Sequence, residues 1–206
     1  MFALVEDGSI TKYFSGNRGF TLNGNQYSKQ IFSLWTKDER EAIGIYEVEM
    51  DTSKRKDEQW YINTDVTYSF GSGKVTGTYG DATAKAHADT LFTAQDESDG
   101  KGTEGEVKVE GLKTIKIREV KKEAANILAE TDWYILRKAD ADTAIPSAIT
   151  NHRAAVRTKC ASMETSITNA SNTAALETLY TYVNTADEGD PVVMERPLGE
   201  LPRLET

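Results

Sequence analysis

The sequence predicts an α+β protein in which a small antiparallel β domain with one short helix precedes a helical module of three or so helices. Three observations predict it. Aromatic residues and glycine-containing turn signals concentrate before residue 82, apolar residues beyond Val107 recur at mostly helical spacings, and all four prolines lie at Pro146 or later. The 206 residues suffice for one large domain or two small ones with a real hydrophobic core. The spacing of the signals divides the chain into a β-rich domain over 1–94, an acidic Gly-rich linker or hairpin tip over 95–106, a helical module over 107–184 and an extended Pro-containing tail over 185–206.

In the front part, FALV and ITKY flank Asp7-Gly8, and GFTL and QYS flank Asn23-Gly24-Asn25, both hairpin punctuation. The segment TKDEREAIG interrupts the strands with a capping box, Thr36 followed three residues later by Glu39, and closes at Gly44, a residue suited to a left-handed helix stop. Strand pattern resumes with IYEVEM, QWYINTDVTYSF and KVTGTYG, turned at Gly71-Ser72-Gly73.

QDESDGKGTEGE, from Gln95 to Glu106, holds no large apolar residue and reads as a solvated linker or exposed hairpin tip. Asp96, Glu97 and Asp99 are oxygen ligands of the kind that calcium takes, but their spacing does not match a twelve-residue helix-loop-helix site. Leu112, Ile115, Val120, Ala124, Ile127 and Leu128 then mark a helix of several turns. Thr131 or Asp132 is placed to cap a short turn that carries Trp133, Ile135 and Leu136 inward, with Arg137 and Lys138 where a helix C-terminus favours cations. Trp133 is expected as a buried anchor between the flanking helices. Pro146 suits a first helical turn, and Ile149, Val156, Cys160, Met163 and Ile167 form a packing stripe down the next helix. Asn172 or Thr173 can cap a last helix bearing Leu176, Leu179, Tyr180 and Val183, after which DPVVMERPLGELPRLET cannot stay helical and is expected to lie extended on a neighbour.

Composition excludes several function classes. The net charge of −9 argues against non-specific nucleic-acid binding, which neutralises phosphates with clustered cations. The N-terminus lacks a basic start followed by an apolar run, and no window approaches the roughly 18 to 20 apolar residues that span a bilayer. Cys160 is the one cysteine, so an intrachain disulfide is impossible and a zinc site lacks thiolates. Thiol catalysis by Cys160 needs His87 or His152. His152 stands eight residues away on the same predicted helix, roughly 12 Å along its axis, too far for a hydrogen bond. No serine sits in a Gly-x-Ser-x-Gly elbow, and GSGKVTG lacks the spacing and following helix of a phosphate loop. Asp132 reads as a cap, and Asp140 and Asp142 as exposed linker carboxylates without further local ligands. No catalytic residue, cofactor or metal ligand is assigned. Trp35, Trp60 and the Tyr-rich strands would stack sugars only if they faced outward.

The segment TDWYILRKADADTAIPSAITNHRAAVR resembles the C-terminal module of tail assembly chaperones and tail-fibre-associated proteins of tailed bacteriophages. Leu128, Thr131-Asp132-Trp133, Arg137, Ile145-Pro146, Arg153 and Arg157 carry the resemblance. WTKDEREAIGIYEV and KRKDEQWYINTDVTYSF are similar to the β-rich modules that accompany it. The rear departs, since some relatives end soon after the arginine-bearing helix. The resemblance implies a non-enzymatic protein with a protein partner and leaves open whether it stays in the particle; the expectation is a structural or adaptor protein, oligomeric within a phage tail, made in the host bacterial cytoplasm and resident in the virion. Its implied partners are other tail or fibre proteins. A transient assembly chaperone is the alternative, and a glycan-binding host-recognition module a third reading.

Overall fold

The computed structural model describes residues 1–204 and divides into two compact units, Met1–Thr83 and Ala84–Thr206. The first contains β1 (Phe2–Glu6), β2 (Ser9–Phe14), β3 (Phe20–Leu22), β4 (Asn25–Tyr27), α1 (Ile31–Leu34), α2 (Lys37–Glu41), β5 (Ile45–Asp51), β6 (Tyr61–Ile62), β7 (Val66–Gly71) and β8 (Lys74–Tyr79). β9 (Thr83–Ala84) straddles the boundary. A five-stranded sheet in the order β2-β1-β5-β8-β7 curls into a half-barrel, bringing Tyr13 of β2 within 5.1 Å of Tyr68 of β7, ring to ring. Its pairs are antiparallel except β5 with β8, where Val48 faces Val75 and Met50 faces Gly77 in parallel register.

Local chemistry sets the hairpins. Asp7-Gly8, Asn23-Gly24 and Ser72-Gly73 each place two consecutive residues at positive φ, the mirror-image turn whose twist matches paired strands. Thr36 caps α2 through a full box with Glu39, which lies well placed at the positive end of the helix, and Gly44 follows at φ +78°. Ahead of it, α1 is a single turn that the expected lone helix does not include; it contributes Ile31 and Phe32 to the core. They pack with Phe2, Leu4 and Ile45, and the rings of Phe14, Phe20, Tyr27 and Trp35 close around them. Trp60 is buried and Trp35 is partly buried against this cluster, so both front tryptophans are packing groups.

The second unit contains β10 (Thr90–Leu91), α3 (Ala94–Ser98), β11 (Val107–Val109), α4 (Leu112–Ala129), α5 (Asp132–Ala141), α6 (Ser147–Asn169), α7 (Thr173–Tyr180), β12 (Val183–Asn184) and β13 (Met194–Glu195). β10 pairs with β11, so the acidic stretch is the tip of a hairpin and carries α3, capped by Thr93 and Asp96. That pairing also draws residues 84–94 into the rear unit, moving the boundary forward of the expected position. α4 and α6 run antiparallel: Lys113 donates to the Thr168 carbonyl, Lys121 pairs with Glu164, and Arg153 donates to the Leu128 carbonyl. Their seam buries Leu112, Val120 and Ala124 against the expected stripe of Ile149, Val156, Cys160, Met163 and Ile167. Asn172, rather than Thr173, caps α7 through Ala175, and Val183 lies beyond that helix in β12. The tail packs on its own unit instead of reaching outward: Leu198 and Leu201 are buried, Leu198 donates to the Leu179 carbonyl, and Lys159 donates to the Leu198 carbonyl. Among the described residues no helix is long and apolar enough to cross a membrane.

Candidate interaction site at the junction of two helices

Leu128, Thr131, Asp132 and Arg153 come together where α4 meets α5. Arg153 of α6 is buried at 7% exposure, and its Nη1 donates to the Leu128 carbonyl at 2.6 Å and to Thr131 Oγ1 at 2.7 Å. Nη2 pairs with Asp132 Oδ1 at 2.9 Å. Thr131, itself buried, returns its hydroxyl proton to the Leu128 carbonyl at 3.0 Å. The charges are placed as the helix dipoles favour: a guanidinium at the C-terminal end of α4 and a carboxylate in the first turn of α5.

Asp132 is therefore the first residue of α5 and an ion-pair partner. Thr131 holds the cap position, and its side chain makes no cap hydrogen bond. Trp133 is not the buried anchor expected from the sequence. Its indole is 49% exposed, and no residue of α5 is buried; Ile135 and Leu136 are exposed as well. Trp133 packs instead against Tyr134, with ring centroids 3.8 Å apart and planes tilted by 32°, and the Arg137 guanidinium lies 4.8 Å from the Trp133 ring and 5.5 Å from that of Tyr134. Arg137 thus shields aromatic faces rather than a helix end. Lys138 pairs with Asp142, which closes α5 in the left-handed conformation. Pro146 stands one residue before α6 as its cap residue, fixing the entry of the chain.

Arg157 does not join this cluster. Exposed on α6, it borders a groove of about 300 Å³ between α4 and α6, lined also by Lys121, Ala124, Leu128, Cys160 and Glu164. Burial pushes the Cys160 thiol up, and its hydrogen bond to Glu164 adds to the effect; a thiol so held is a poor nucleophile. The carboxylates weighed as calcium ligands have other partners: Asp96 engages Thr93 and Lys108, Glu97 accepts from the Glu104 amide, and Asp99 binds Lys101 and Gln95. No trio of His, Cys, Asp or Glu among the described residues is arranged to hold a metal ion. No protein-family model matches the chain, and neither does any curated protein or solved structure.

What this site can do is present a surface. The direction in which α5 faces has no local signal in the sequence. The amphipathic pattern says that Trp133, Ile135 and Leu136 favour a cover, not which molecule supplies it.

Proposed function

We propose that this chain is a non-enzymatic adaptor that acts through protein–protein contacts, as a structural component of a bacteriophage tail or tail fibre. The observation that carries the reading is α5. The helix is tied to α4 and α6 by the Arg153 cluster yet leaves Trp133, Ile135 and Leu136 in water. A helix whose apolar side is held outward is a helix prepared for a groove on another protein. Aromatic and arginine side chains, as at Trp133 and Arg137, are the residue types that dominate binding energy at such contacts. The resemblance of the TDW segment to tail-associated proteins supplies the biological setting.

The test is particle composition. Digestion and mass spectrometry of purified virions should yield peptides from both units, and Leu136→Asp should leave the purified chain folded but reduce its incorporation. If virions contain no peptide of this chain while its co-expression raises the soluble yield of a fibre protein, the resident-adaptor reading is wrong and a transient chaperone replaces it.

A further inference from the structure

From Leu112 to Ala141 the chain contains neither glycine nor proline, and it is helical except at Glu130 and Thr131. Sharp breaks in helices ordinarily have a proline, a glycine or an inserted side chain as their cause. Here only insertion is available. In an unbroken helix the Leu128 carbonyl would accept from the Asp132 amide, four residues on. It accepts instead from the Thr131 amide at 3.1 Å, from the Thr131 hydroxyl at 3.0 Å and from Arg153 at 2.6 Å. Arg153 spans the break, with one nitrogen on the last turn of α4 and another on Asp132, the first residue of α5.

We propose that Arg153 is the positioning residue of α5, deciding whether α4 and α5 are two helices meeting at a corner or one continuous helix. The backbone stands close to both states. Thr131 lies at φ −115°, ψ 6°, so helical values are reached by turning each angle about 50°, without crossing into the left-handed region. The corner also carries an unmet donor: Arg153 Nε is buried and has no hydrogen-bond partner among the described residues. A guanidinium satisfied at both ends but not in its middle holds the corner without completing it.

The connection to α6 permits the straight form. With α4 and α6 antiparallel and Arg153 level with Leu128, Ser147 lies roughly 9 Å past that level and Ala141 of a straight helix roughly 20 Å past it. The gap, about 11 Å along the axis and 8 to 10 Å across it, is about 14 Å, within the roughly 20 Å that six Cα steps can span. Straightening would carry Trp133, Ile135 and Leu136 away from α6 on a rod about 45 Å long. This two-state corner is a property of the chain alone and does not depend on the adaptor reading.

The experiment is a distance measurement in the full chain. With Cys160→Ala removing the native thiol, spin labels are placed at the exposed positions Lys122 and Ala139 and their separation is read by pulsed electron resonance. A straight helix sets them about 25 Å apart. With Arg153 present the distribution should centre below that; in Arg153→Met the population at about 25 Å should rise several-fold, with helix content by circular dichroism retained or increased. Asp132→Asn and Thr131→Val, which keep the buried guanidinium, should each give a smaller shift in the same direction and decide the matter if Arg153→Met fails to fold. Distributions that stay short in the folded variants would overturn the proposal.

Discussion

Trp133 and Arg153 divide the work of the α4–α5 junction in opposite senses, one facing water and one beneath the surface. Trp133→Ala removes an aromatic that is half exposed, so its effect on stability should stay within about 0.5 kcal/mol, as for surface substitutions in general. Arg153→Ala removes hydrogen bonds to a carbonyl and a hydroxyl and an ion pair. Its cost should be about 2 kcal/mol, below the ~3 to 5 of a fully buried pair because the Asp132 it leaves behind is in water. Urea melts of the two variants check the order, and a Trp133→Ala loss larger than that of Arg153→Ala would reverse the assignment. The sequence suggests a buried tryptophan because apolar residues beside charged ones normally turn inward. That inference fails at α5, no residue of which is buried, and no pattern within Asp132–Ala141 separates the two cases.

At the scale of elements, the hairpin formed by β10 and β11 owes its tip to charge. Asp96 accepts from the Lys108 ammonium first and from the Thr93 amide and hydroxyl next, which together lower its carboxyl to about 2. A carboxylate depressed in the folded state stabilises that state at pH values above its ordinary range, near 4, and loses the contribution as pH falls through about 2. Carboxyl chemical shifts followed through acid should therefore titrate late at Asp96 in the native chain, and earlier in Lys108→Met. An unchanged midpoint would mean that Lys108 does not reach it. Asn172→Ala, which removes the cap of α7, should cost about 1 kcal/mol, read as a lowered melting midpoint. The legibility of these elements follows their composition. The Asp-Gly and Asn-Gly turns, the Thr36 box and the α6 stripe are local devices and stand in the structure where the sequence puts them. Helix α3 is hidden because AQDES offers no apolar period; its only signal is Thr93 followed three residues later by Asp96, a shorter version of the box that marks α2.

For the whole molecule, the change of architecture from strands to helices is plain in the sequence, while the boundary between the units is not, since Thr90 and Leu91 find their partners at Val109 and Val107 across a long tip. Residues 1–83 and 84–206 expressed separately should each melt cooperatively, whereas division at 94 should strip β10 from the rear unit and lower its midpoint. The one parallel pair of the sheet was equally invisible, because strand pattern carries no direction. It has a consequence in time. On the ribosome β5 is complete some twenty residues before β8 begins to emerge, and at about 5 to 20 residues per second the nascent chain carries an open strand edge for one to several seconds. Along that strand Glu47, Glu49 and Asp51 alternate with Tyr46, Val48 and Met50. Neighbouring nascent chains on one message would have to bring like charges together to pair through it, so the acidic rank on β5 guards the interval during which its proper partner has not yet been made.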